Sequence, residues 1–166
     1  MFRFSGSPSM HSTFENLLAD EAFREGRYWE RRTHAANETI IVAGDYGREI
    51  FVILEGVVRV SGDIELDEGR SIQPGICDLE AGAVFGELGL FSEMPRTATV
   101  TTVSACSLAV IDGDALLDYF EAHTGTGYRV LLELLGATTE RLDRTSRKLL
   151  RMLAWGLKSH RIESHL

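Results

Sequence analysis

Residues 85–100 read Phe-Gly-Glu-Leu-Gly-Leu-Phe-Ser-Glu-Met-Pro-Arg-Thr-Ala-Thr-Val, and no other stretch constrains the chain as strongly. Two glycines, Gly86 and Gly89, and a carboxylate, Glu87, stand at the mouth of a short helix. Arg96 follows nine residues after Glu87, and the small and β-branched residues after it suit a strand. A turn of exposed backbone N–H groups backed by one arginine is a place for a small phosphate. A carboxylate held by the same turn is placed to accept hydrogen bonds from sugar hydroxyls. The combination calls for a ligand carrying both a phosphate and a ribose.

The surrounding sequence predicts β structure. Ile50–Val60 is β-rich on both sides of Gly56, which predicts a hairpin. Asn37–Asp45 reads as turn, strand and Gly-Asp, and Thr97–Ile111 as strand, turn and strand. Turn signals recur at short intervals from about residue 28 to 113, a spacing that favours a β-roll or barrel over βαβ units.

Gly86-Glu87-Leu88-Gly89-Leu90-Phe91 followed by Pro95-Arg96-Thr97-Ala98 resembles the phosphate-binding cassette of cyclic nucleotide-binding domains. Such domains occur in catabolite activator proteins, kinase regulatory subunits and cyclic-nucleotide-gated channels. The resemblance covers roughly residues 14 to 155. It implies an α+β fold: a β-roll or jelly-roll barrel flanked by short helices, with a long C-terminal helix. It also implies that Glu87 binds the ribose 2′-hydroxyl and Arg96 the cyclic phosphate. Phe85, Gly86, Leu88, Thr97 and Ala98 would line the cradle, with backbone N–H groups and the Thr97 hydroxyl completing it. Asn37 stands where the family often has glycine, a mild departure because asparagine tolerates a left-handed backbone. An ordinary Glu87–Arg96 ion pair is the bland reading of the same residues.

The C-terminal stretch predicts a helix from about Gly127 to Leu157. Positions 128, 131, 135, 138, 142, 145, 149 and 152 are Tyr, Leu, Leu, Thr, Leu, Thr, Leu and Met. Their alternating steps of three and four make the seam of a coiled coil, hence an expected homodimer. Leu132, Leu134, Leu150 and Leu153 widen the stripe, so a second face is expected to pack on the chain's own roll. Glu140–Lys148 resembles the dimer helix of catabolite activator proteins around a Thr-Ser pair. That resemblance implies that Thr145 contacts the base in its own subunit and Ser146 reaches across the dimer. It favours cAMP, while Thr97 keeps cGMP open. Thr138 has no such match and reads as a tolerated polar seam residue.

Charge sorts the remaining readings. Residues 1–125 hold 9 Lys/Arg against 21 Asp/Glu, a net of −12, and residues 126–166 hold 8 against 4, a net of +4. An acidic β-lobe repels nucleic acid, so no nucleic-acid partner is expected there. Arg96 is the only Lys or Arg between Arg70 and Arg129, which makes it the energetic centre of any anion site. Arg141, Arg144, Arg147, Lys148 and Arg151 keep a DNA-binding regulator as a rival. The five histidines are scattered and make no His-x-His pair, which argues against a cupin-like metalloenzyme. A haem sensor lacks an axial pair, since no histidine neighbours Cys77.

The 166 residues, 44% hydrophobic and 25% charged, fit one globular domain with a real core. No apolar run approaches the ~18 residues of a membrane span. Residues 1–13 read as a flexible leader without the apolar stretch of a signal peptide, 14–125 as the roll, 126–157 as the helix and 158–166 as a tail. Cys77 and Cys106 are too few for a disulfide scaffold, and Cys106 reads as a small core residue. The expectation is a cytoplasmic, non-enzymatic, stand-alone sensor of cAMP that needs no cofactor and signals through its helix to an unidentified protein. The other reading is a ligand-independent or DNA-binding fragment of a transcriptional regulator.

Overall fold

The computed structural model describes residues 10–62, 64–66, 70–72, 75–91 and 94–159. Helix α1 (Met10–Leu18) is followed by strands β1 (Trp29–His34), β2 (Thr39–Ile41), β3 (Ile50–Glu55), β4 (Val57–Ser61), β5 (Ile64–Leu66) and β6 (Arg70–Ile72). Then come β7 (Gly75–Glu80), β8 (Val84–Phe85), α2 (Leu88–Phe91), β9 (Thr99–Thr102), β10 (Cys106–Ile111), α3 (Gly113–Ala122) and α4 (Thr124–Ser159). Of the expected leader, residues 1–9 lie outside the described residues, whereas residues 10–13 belong to α1. Residues 160–166 of the expected tail lie outside the described residues as well.

Two four-stranded antiparallel sheets carry the fold, in the orders β1-β10-β3-β8 and β2-β9-β4-β7, with β5 and β6 paired separately. This is the expected α+β jelly roll with short helices and a long C-terminal helix, although the sheets do not close into a barrel. The expected hairpin at Gly56 is not one. β3 pairs with β10 and β8, while β4 pairs with β7 and β9. Gly56, at φ 92°, turns the chain from one sheet into the other. A Cβ there would lie 2.4 Å from the Ala105 carbonyl oxygen and 2.6 Å from Cys106 Sγ, so only glycine fits the crossing. β9 and β10 likewise flank a turn but join different sheets.

The core lies between the sheets. Phe51, Ile53, Phe85, Leu108 and Val110 of one meet Ile41, Val58, Leu79 and Val100 of the other, with Cys106 among them. Phe51 and Phe85 stack at 4.9 Å and 5°. The first sheet is buried on its reverse face too: Ile50, Val52, Ala109 and Ile111 are at most 2% exposed. Burial on both faces explains why β10 is apolar without alternation. The edge strand β1, by contrast, exposes Glu30, Arg31 and Arg32, charges that discourage pairing with another chain.

Phe14, Leu17, Phe23, Leu116 and Tyr119 are fully buried, from helices α1 and α3 and the segment after α1. Tyr119 lies edge-on to Phe23 and Tyr28. Its hydroxyl donates to Asp20 Oδ2 at 3.0 Å. Helix α3 begins at a proper cap, where the Asp112 carboxylate accepts from the Ala115 N–H at 2.8 Å. At the other end of the roll Asn37 has φ 66°, the left-handed conformation expected for it, and its N–H donates to the Thr102 carbonyl.

The chain divides into two compact units, Met1–Leu131 and Leu132–Leu166, with α4 running through the boundary. No helix among the described residues is long and apolar enough to cross a membrane.

Burial and the bond to Asp20 push the Tyr119 hydroxyl up to about 12 from its ordinary 10.0. A raised folded-state value means that this contribution is complete below pH 10 and is lost as the pH climbs towards 12. Tyr119→Phe should therefore cost about 1 kcal/mol at neutral pH. It should also flatten the loss of stability over that alkaline window. Urea unfolding of both proteins from pH 7 to 12 tests this; parallel pH profiles would contradict it.

Candidate phosphate and ribose site

The turn between β8 and α2 is built on glycine. Gly86 has φ 80°, a conformation side chains resist, and a Cβ there would meet the Glu49 carbonyl oxygen at 2.9 Å. Gly89 is tighter: a Cβ would lie 2.5 Å from the Gly47 carbonyl oxygen and 2.9 Å from Arg96 Nη1. Gly47, Gly86 and Gly89 together leave a slot only as wide as a guanidinium, and Arg96 fills it.

Arg96 is held by both its backbone and its side chain. Its N–H donates to the Asp45 carbonyl at 2.7 Å, and its own carbonyl accepts from the Gly44 N–H at 2.8 Å. The Gly44-Asp45 turn read in the sequence is thus the clamp that places the arginine. Nη1 donates to the Gly86 carbonyl at 2.9 Å, and Nη2 to the Glu49 carbonyl at 3.0 Å and to Glu49 Oε2 at 3.2 Å. The side chain is 7% exposed, so a positive charge is kept almost entirely out of water. Such a charge attracts an anion far more strongly than a surface arginine does.

Glu87 is buried at the entrance to α2, where the first helical bonds run from Gly89 N–H to Gly86 O and from Leu90 N–H to Glu87 O. Leu88 and Thr97 are exposed and Ala98 half-buried. The Phe85 ring is committed to the inter-sheet core. Arg96 thus meets Gly86 and Gly89 of the turn that bears Glu87. Thr145 and Ser146 lie on the second unit, both exposed on α4. The Thr138 hydroxyl is satisfied within its own helix by the Leu134 carbonyl at 2.8 Å.

Two groups of residues went unread in the sequence. Arg48, from the same loop, pairs with Asp114 of α3 at 2.8 Å and reaches the Leu90 carbonyl at 3.4 Å, tying α2 to α3. A cavity of about 220 Å³ also reaches Arg96 from the side of β1 and β2. Arg32, His34, Asp45, Tyr46, Glu49 and Phe51 are among its lining, and no residue of α2 is. Glu49 is the consequential omission. The Gly-Asp-Tyr-Gly-Arg-Glu run carried a hint, being a glycine-bearing loop with two carboxylates, but nothing local connects it to an arginine 47 residues away.

The family model for the cyclic nucleotide-binding domain matches residues 31–123. The cAMP-activated global transcriptional regulator Vfr of Pseudomonas aeruginosa is 35% identical over 122 residues, 71% of this chain and 53% of Vfr. The chain thus spans about half the length of that relative. Among solved structures, a cyclic nucleotide-binding domain from Methylobacillus flagellatus superposes with a TM-score of 0.68 at 28% identity, over 75% of this chain and 68% of that one. The c-di-GMP responsive global regulator CLP of Xanthomonas campestris gives a TM-score of 0.70 at 25% identity, over 85% and 63%. With more than half of its residues matched by that model, the chain belongs to the cyclic nucleotide-binding domain family.

Proposed function

We propose that the chain is a sensor of cAMP that relays occupancy of its roll through α4. The observation that carries this reading is the buried Arg96 guanidinium in its glycine slot, beside a turn that bears the buried Glu87. Arg96 holds the cyclic phosphate and Glu87 accepts hydrogen bonds from the ribose. Backbone N–H groups of residues 86–88 and the exposed Thr97 hydroxyl complete the cradle. Vfr, described as cAMP-activated, supports the choice of nucleotide. Thr145 contacts the adenine, and Ser146 reaches it from a second subunit.

The helix supplies the output. Leu135, Leu142, Leu149 and Met152 of the seam are 57–67% exposed, an apolar stripe that suits a second copy of the same helix. Ligand shifts the position or dimeric packing of α4 only to the extent that it binds one arrangement better than the other. An effector protein in the cytoplasm reads the change. The second reading, service to a transcriptional regulator, draws on Vfr's description and the half-length match. In that reading DNA contact resides outside the acidic roll.

Isothermal titration with cAMP and cGMP, after removal of co-purified nucleotide, tests the ligand. Micromolar or tighter cAMP binding is expected, weaker for cGMP. Arg96→Ala should lower affinity at least about 30-fold, since it removes a buried charged partner. Glu87→Ala should cost about 10-fold or more. Wild-type affinity in both variants would refute the assignment. Thr145→Ala should weaken cAMP more than cGMP, and equal losses would remove the adenine contact. Sedimentation tests the dimer: Leu142→Asp with Leu149→Asp should give folded monomers from a wild-type dimer, because both side chains are exposed.

A further inference from the structure

Arg96 already has an anion. Its side chain is 7% exposed, whereas the Glu49 carboxylate that it holds at 3.2 Å is 48% exposed. The guanidinium is fixed from behind by two backbone carbonyls, those of Gly86 and Glu49. The carboxylate is the loose partner, half in water at the end of a rotatable side chain. Space at the contact is short: a Cβ on Gly47 would lie 2.7 Å from Glu49 Oε2 and 2.9 Å from Arg96 Nη2. A phosphate that pairs with Arg96 Nη2 competes with this carboxylate for the same donor.

We infer that Glu49 is a specificity-determining residue, whose carboxylate occupies the anion position at Arg96 and must be exchanged for the phosphate of any ligand. This rests on the reading of Arg96 as the phosphate ligand. For a cyclic phosphodiester the exchange replaces one negative charge by one. A phosphomonoester of the same nucleoside brings about −1.5 to −2 at neutral pH. The displaced carboxylate stays within the reach of its own side chain and repels the second charge more. Among the residues lining the cavity, Arg32 is engaged by Glu30 and His34 by Glu38, and Asp45 adds a further carboxylate to its wall. Glu49 therefore selects cyclic over open-chain phosphate by charge.

The test is isothermal titration of the full chain with cAMP and with 5′-AMP, on wild type, Glu49→Gln and Asp118→Asn. Glutamine keeps the shape and hydrogen-bonding capacity of Glu49 without its charge. Asp118 is exposed on α3, so its substitution controls for net charge. Glu49→Gln should tighten both nucleotides, and 5′-AMP the more, so that the preference for cAMP shrinks roughly five- to tenfold. Asp118→Asn should leave the ratio within about twofold of wild type. Circular dichroism and melting verify that each variant is folded. An unchanged ratio in Glu49→Gln, an equal change in Asp118→Asn, or weaker cAMP binding in Glu49→Gln would overturn the inference. Each of those outcomes leaves Arg96-dependent cAMP binding standing. A wild type that binds neither nucleotide sinks the sensor reading, and this inference with it.

Discussion

A guanidinium buried to 7% exposure must find acceptors, and much of the roll's free end is arranged to provide them. The Gly86 and Glu49 carbonyls lie next to the ends of β8 and β3, and the Asp45 carbonyl and Gly44 N–H in the turn after β2. Arg96 therefore joins segments of both sheets, in front of β9. Apart from the Glu49 carboxylate, each acceptor is a backbone group, so identity at those positions matters only where a side chain would intrude. That is why the residues around it are glycines.

The same demand sets the site's chemistry. A charge denied water is attractive to a phosphate, but its attraction must be balanced in the free protein. Glu49 supplies that balance from the solvent side, in a contact that is easy to break because the carboxylate is half exposed.

The two-sided burial of the first sheet accounts for what lies behind the site. β3 and β10 carry apolar residues on both faces, one face meeting the second sheet and the other closed off from solvent. Helix α2 is only four residues long, and it is steadied from this side by Arg48, which bonds the Leu90 carbonyl and Asp114. The turn after β8 is thus tied to the sheet that is buried on both faces. On helix α4 the seam residues Leu135, Leu142, Leu149 and Met152 are exposed.

The sequence alone determined the strands within 37–60 and 97–111, the left-handed Asn37, the short helix after Gly86 and the long C-terminal helix, because each is dictated by neighbours within a few residues. Periodicity, turn chemistry and glycine placement are local quantities. Pairing is not. Ile50–Val60 reads as a hairpin since alternation shows which side chains share a face and says nothing of which strand is hydrogen-bonded. Only the tertiary structure sent β3 and β4 to different sheets across Gly56. The cassette was legible for the same local reason, as Gly86, Glu87 and Arg96 lie within eleven residues. Glu49, the anion facing Arg96 across 47 residues of chain, was decided by the fold, since long-range electrostatic contacts leave no trace in spacing.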